Sequence, residues 1–353
     1  MTLMLTAPRA LVGEDLEVAS NAVVVIDGAS IVAAGSCDTL EPPAGARVER
    51  WDGVTLVPGF IDLHVHIGLA DAAAVLAGGI TAARDLAWPP ERIWPLVEES
   101  RRPGFAGPLL FAAGQMLTAP GGYPTRAAWA PPGTGLEVGS PAAAEDAVAR
   151  QAEAGACVIK IALNPVAGPV LDDPTLEAIV AAAHRRGLRV TGHVYGVDQL
   201  RRALSAGVDE LAHMLMSQEH IPDDLIARMV AAGTTIVTTL SIRTQLDLEI
   251  AVDNTRRFAA SGGLVLYGTD LGNAGPRPGI DRREVAALAR AGLSPLQVIR
   301  SATIAAASYL GYDGGALAPG RRADVVALGG EPHKHHAHLC AVKAVWRAGE
   351  RVR

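Results

Sequence analysis

From residue 140 onward one rhythm repeats: a capped helix stops at a glycine, and an apolar, β-branched run begins at once. Ser140-Pro141 supplies an N-cap and an N1 proline, the helical pattern runs to Gly155, and CVIKIAL follows as a buried strand. Asp173-Pro174 opens the next unit, whose helix TLEAIVAAAHRR ends at Gly187 and feeds LRVTGHV. QLRRALSA then ends at Gly207 before VDELAHM, and LIARMVAA at Gly233 before TTIVTTL. Such alternation leads a chain to a parallel sheet, because parallel neighbours need a crossover between them and a helix supplies it. Adding VTLVPGFIDLHVH, ITAARDL and LLFAAGQ upstream and LVLYGTD downstream brings the strands to eight. Eight parallel strands suit a closed (β/α)8 barrel, although an open doubly wound sheet has the same local pattern. Asp281 with Glu284, and Ser294-Pro295 with Gln297, mark two later helices that stop near Gly292 and Gly311.

The flanks lack this rhythm. Residues 1–55 hold short runs such as NAVVVIDG and SIVAAGS, and the tail holds ADVVALGG and AVKAVWRAGERVR, all with turn signals and no long helix. They are expected to pair into one small β-domain of residues 1–55 and 317–353, beside a barrel of 56–316. Residues 114–139, rich in Gly and Pro, form the longest irregular stretch, and loops of that length are usually lids or binding loops. Tyr123, Arg126 and Trp129 within it are the expected substrate contacts.

Composition narrows the partner. A formal charge of -6 and a mixed surface give no basic footprint for nucleic acid. The N-terminus has no basic segment followed by a sustained apolar one, and no apolar run approaches membrane-spanning length, so the expected setting is cytoplasmic and the expected partner a small molecule or short peptide. Homo-oligomerisation stays open. Cys37, Cys157 and Cys340 are too few and too scattered for a disulfide framework.

Chemistry concentrates at strand ends. In His64-Val65-His66 the period of two points both imidazoles to one face, where they can share a metal. His193, His213 and Asp270 recur at the ends of later strands, where parallel barrels keep their active sites. Each histidine alone reads as a hydrogen-bonded core residue. Core packing, however, gives no reason to confine ligand-type residues to strand ends. Of 31 basic residues only Lys160, Lys334 and Lys343 are lysines, and Lys160 sits in the apolar run CVIKIAL, where an ammonium is costly unless paired or neutralised. An ion pair with Asp85 or another acid is one answer; carboxylation by CO₂, which makes an anionic two-oxygen ligand, is the other. The run HKHHAH, His333 to His338, lies in a turn-rich tail and reads as a solvated loop.

At these residues the sequence resembles the amidohydrolase superfamily, whose signature appears as PGFIDLHVH, Pro58 to His66, and the likeness runs over nearly the whole chain. The resemblance implies a (β/α)8 barrel with a small β-domain built from both termini. It further implies two divalent metal ions, His64, His66 and Asp270 on one, His193 and His213 on the other, and a carboxylated Lys160 bridging them. Zinc is the first expectation, with manganese, cobalt or iron as alternatives. VIKIAL, His193-Val194-Tyr195 and AGVDELAHM look most like the branch of prolidase-type, Xaa-Pro and Xaa-Arg dipeptidases, which assigns Tyr195 to the scissile carbonyl and Asp270 to the proton. Two positions depart: Met214 follows the sixth-strand histidine in place of glycine, and Gly121-Gly122-Tyr123 replaces Gly-Gly-His. Hydrolysis of an amide, peptide or cyclic amide is the expected activity. Lactones, phosphotriesters and amidines, trimming of a peptide natural product, and a non-catalytic binding role are the alternatives.

Overall fold

The computed structural model describes residues 2–40 and 43–353. In chain order the strands are β1 (Thr2–Val12), β2 (Glu17–Asp27), β3 (Ser30–Ser36), β4 (Arg47–Arg50), β5 (Val54–Pro58), β6 (Phe60–Val65), β7 (Ile80–Asp85), β8 (Leu109–Ala112) and β9 (Met116–Thr118). They continue as β10 (Gly135–Glu137), β11 (Ile159–Leu163), β12 (Val190–Val194), β13 (Glu210–Leu211), β14 (Thr235–Val237), β15 (Leu264–Leu266), β16 (Val325–Gly329), β17 (Val342–Arg347) and β18 (Glu350–Arg351).

An α/β fold with parallel sheets results. Strands β6-β7-β8 pair in parallel, and so do β10-β9-β11-β12-β13-β14-β15. Backbone bonds join the two sheets at both edges. Cys157 N–H donates to Ala112 O at 2.9 Å; on the other side Leu63 N–H donates to Tyr267 O at 3.1 Å and Asp270 N–H to His64 O at 2.8 Å. Asp62 reinforces that second seam, its buried carboxylate accepting the Thr269 N–H at 3.1 Å and the Thr269 hydroxyl at 2.6 Å.

The intervening helices form for the reasons the sequence suggests. In Asp173–His184 the buried Leu176, Ile179, Val180 and Ala183 recur at helical spacing and join the main hydrophobic core. Its cap is Asp172, one residue before the expected start, because the Asp172 carboxylate reaches the Thr175 N–H at 2.9 Å. Ser294 and Gln297 make a complete capping box. Asp281 caps its helix too, but the Glu284 side chain turns inward to Thr238 and Ser241, so the reciprocal half is missing.

Both ends of the chain meet in one further sheet, ordered β18-β17-β16-β5-β1-β2-β3 with β4 on β1. The apolar run expected as a single strand is thereby divided, Val54–Pro58 pairing with β16 and Phe60–Val65 with β7. Gly59 makes the passage, since a Cβ there would sit 2.1 Å from Thr81 Oγ1. The stretch 114–139 is less irregular than expected: β9 pairs with both β10 and β11, placing Met116 opposite Lys160. No helix among the described residues is long and apolar enough to cross a membrane.

Candidate metal centre

The strand ends bring six side chains to one place, His64, His66, Lys160, His193, His213 and Asp270, none more than 5% exposed. His64 is the last residue but one of β6 and His66 lies just beyond its end, so the pleat sends both rings toward Asp270, which follows β15 in left-handed backbone with φ 56°. One Asp270 oxygen, Oδ1, lies 3.2 Å from Nε2 of His64 and 3.2 Å from Nε2 of His66, yet it has no hydrogen-bond partner. The opposite nitrogens explain this. Nδ1 of His64 faces Ala212 O at 2.6 Å and Nδ1 of His66 faces Ala87 O at 3.2 Å, and only an N–H can face a carbonyl. The Nε2 of each ring, when that ring is neutral, is therefore a bare acceptor, and both converge with a carboxylate oxygen. Three acceptors within 4.8 Å of one another suit a shared cation.

The remaining histidines extend the cluster. The ring centroids of His64 and His213 are 4.5 Å apart, and those of His213 and His193 are 4.9 Å apart. His213 Nδ1 is bonded to Thr239 Oγ1 at 2.8 Å. At His193 it is Nε2 that is engaged, facing the Asn164 side-chain amide at 3.1 Å. Lys160 on β11 is fully buried, and its Nζ has no hydrogen-bond partner. Asp85 does not pair with it, because the Asp85 oxygens accept the backbone N–H groups of Ile67 and Ala87. Nor does Glu210, whose carboxylate receives the Arg84 guanidinium at 2.6 and 3.0 Å and the Thr191 hydroxyl.

Electrostatics follow from this burial. Desolvation lowers Lys160 to about 7, against the pull of Asp270 and Glu210, leaving much of the amine neutral. Burial likewise lowers His193 to about 3 and holds His64 and His213 well below their usual range, whereas at His66 burial is outweighed by the Asp270 and Asp85 carboxylates, which raise the ring above its ordinary value. Burial alone would raise Asp270, but His64, His66 and Lys160 outweigh it and hold the carboxyl ionised. The chemistry of this donor set fits divalent metal: converging imidazole nitrogens, an ionised carboxylate and an unpaired amine.

The loop residues fall on two sides. Trp129 lies on His66 with ring centroids 4.5 Å apart, and Tyr123 stacks on His193 at 4.7 Å. Arg126 is exposed and packs near Gly121. Tyr195 is half-buried, with its N–H on Leu163 O. Arg243, which the sequence reading missed, is 6% exposed and donates to the carbonyls of Met214 and Leu215; its Nε has no partner. Burial pulls it down to about 10, against Asp247, Glu284, Asp270 and Tyr195. With 28 arginines in the chain, nothing in the sequence singles it out. Asn164 and Thr239 were missed as well, since each acts only through the ring it touches.

A parallel α/β scaffold with histidines and an aspartate buried at its strand ends presents a candidate metal site. The chain belongs to the amidohydrolase family, whose model matches residues 55–352. It is 32% identical over 322 residues to adenine deaminase 2 of Rhizobium meliloti, covering 84% of this chain and 48% of that protein. It is 38% identical over 184 residues to imidazolonepropionase of Deinococcus deserti, covering 49% of this chain and 44% of the relative. The chain thus spans about half the length of these two curated relatives. Among solved structures, an Xaa-Pro dipeptidase with methionine in its active site superposes with a TM-score of 0.84 over 99% of both chains at 22% identity. A prolidase in complex with N-methylphosphonate-L-proline gives 0.83 over the whole of both at 22% identity. These two likenesses concern the fold.

Proposed function

We propose that this protein is a metal-dependent hydrolase that cleaves the C–N bond of an amide, peptide or cyclic amide. We further assign the strand-rich middle, residues 56–316, to a closed (β/α)8 barrel, supported by the bonded seams at both sheet edges, and residues 1–55 and 317–353 to a small β-domain. The observation that carries the functional reading is the convergence of Asp270 Oδ1 with the bare Nε2 atoms of His64 and His66.

His64, His66 and Asp270 would hold one divalent ion, zinc by preference, and His193 and His213 a second, His193 having its Nδ1 free while Nε2 faces Asn164. The neutral Lys160 amine is suited to attack CO₂, forming an N–C bond and losing a proton, and the resulting carbamate would answer the unpartnered Nζ with an anion that both ions share. Such ions supply water activation at neutral pH and polarisation of the scissile carbonyl. Asp270, held ionised, accepts the proton of the attacking water and returns it to the leaving nitrogen. Tyr195 donates to the oxygen on which charge develops, and Tyr123, Arg126 and Trp129 contact the substrate.

Elemental analysis after reconstitution with zinc and bicarbonate, together with turnover of dipeptides, N-acyl amino acids, cyclic amides, aminopurines and matched esters, tests this reading. Close to two ions per chain and hydrolysis of a C–N substrate are expected. Lys160→Ala should retain the fold and lose much of the metal. A single ion after reconstitution would remove Lys160 as a bridge, and cleavage of esters alone would reassign the bond.

A further inference from the structure

In the sheet made from both termini, the turn at Gly28 and Ala29 between β2 and β3 touches the turn at Ala348 and Gly349 between β17 and β18, since a Cβ on Gly349 would sit 2.1 Å from Gly28 O. Together with residues 101–104, which follow the helix Pro90–Ser100, they line a cleft of about 430 Å³. Four guanidinium side chains face it, Arg101, Arg102, Arg322 and Arg347, against one carboxylate, Glu350. In a chain with 28 arginines some meet by chance, so the counter-charges decide what the group means. Arg101 has Glu98 at 3.0 Å and Arg322 has Asp324 at 3.2 Å. Among the described residues, Arg102 and Arg347 have no carboxylate partner.

Arg347 is the anomaly of the four. It is 6% exposed, and its five N–H groups meet only carbonyls: Nη2 donates to Ser100 O and Nη1 to Phe105 O at 3.5 Å, while Nε has no partner. Asp324 is committed elsewhere, to Arg322, the Tyr312 hydroxyl and the Ala348 N–H. Burial, and then Arg322, pull the Arg347 guanidinium below its ordinary value, so its charge is held there at a cost that nothing nearby fully offsets. A second cleft, of about 240 Å³, shares Gly104, Arg347 and Glu350 with the first, and Leu76, Phe105 and Val352 are among its other walls.

We infer that the arginine cleft is a binding site for the phosphate group of a small phosphate ester, anchored by Arg347 and Arg102, with the adjoining apolar cleft taking the organic part. Phosphate fits better than carboxylate, because its terminal oxygens accept from several guanidinium forks at once, whereas a carboxylate fills one fork. Its second negative charge also offsets Glu350. None of the lining residues belongs to the metal centre, and residues 101–104 lead into β8, at the opposite end of the strands from that centre. The inference is therefore independent of the reaction proposed there.

The test titrates the zinc-reconstituted protein, freed of excess metal, with inorganic phosphate, phenyl phosphate and benzoate at constant ionic strength, reading binding by calorimetry and by the rise in Tm. Phenyl phosphate is expected to bind several-fold tighter than either of the others. Arg347→Lys keeps the charge and loses the fork, and should weaken phenyl phosphate by about 10-fold or more. That change also removes the bond to Ser100 O, so the deciding variant is Arg102→Ala, at an exposed position, for which a loss of about 10-fold is expected with Tm of the unliganded protein unchanged. Binding unaltered in Arg102→Ala, as for phosphate held at the metal centre, overturns the site. So does a wild type that binds none of the three probes. Benzoate as tight as phenyl phosphate would overturn the phosphate assignment, and inorganic phosphate as tight as phenyl phosphate would overturn the ester in favour of the free ion.

Discussion

Asp270 stands at the point where backbone and chemistry meet. A non-glycine residue with positive φ is strained by about 1–3 kcal/mol, and here that conformation places the carboxylate between two imidazoles while the residue's N–H bonds His64 O. Asn has the same shape and tolerates the same backbone, but its amide is no base. Asp270→Asn should therefore fold normally and lower kcat by roughly 10² to 10⁴, with some loss of metal, as read by steady-state kinetics on protein of known metal content. A wild-type rate with both ions bound would show that the proton goes elsewhere.

Glu284 offers a test independent of any metal. Burial raises its carboxyl from the ordinary 4.5 to about 8, opposed by the bonds from Thr238 and Ser241. Because the folded state keeps this proton where the unfolded chain releases it, the stabilisation is complete below about 4.5 and is lost as pH rises to about 8. Denaturation midpoints across that window should fall more steeply for wild type than for Glu284→Gln. Parallel curves would show that Glu284 does not govern the slope.

Among the elements, the break at Gly59 decides how the signature motif is divided between two sheets. A methyl group there meets Thr81 from 2.1 Å away, so Gly59→Ala should destabilise the protein by about 1–3 kcal/mol through overpacking, measurable by denaturant unfolding. That break was not legible in PGFIDLHVH, since apolar alternation carries on through it. The helices were legible, because spacing, caps and terminal glycines agree over ten or more residues, as in Pro141–Glu153. Three-residue strands such as Met116–Thr118 have too few positions to establish a period, and the 114–139 stretch looked like loop for that reason. At the site, the six side chains that converge could be read from type and strand position. Their supports could not: the Ala212 and Ala87 carbonyls that fix the His64 and His66 tautomers are backbone atoms, available from any residue.

At the scale of the whole molecule, the sheet made from both termini is held by a core to which each end contributes. Trp346 of β17 is fully buried and meets Trp51 edge to face at 5.4 Å. Trp346→Ala should cost about 3–5 kcal/mol, and proteolysis of the variant should release fragments from both termini together. Cleavage confined to the C-terminus would show that the two ends are held independently.

The Asp62–Thr269 bond joins partners 207 residues apart in the chain. Its length in sequence is also a statement about time. His64 and His66 leave the ribosome long before Asp270 exists to face them, and loop closure over such a distance is among the slower events in folding. Until that seam forms, the two imidazoles wait without their carboxylate. On the proposed reading, metal capture at His64, His66 and Asp270 would be a late event, and its appearance during refolding would time the closing of the seam.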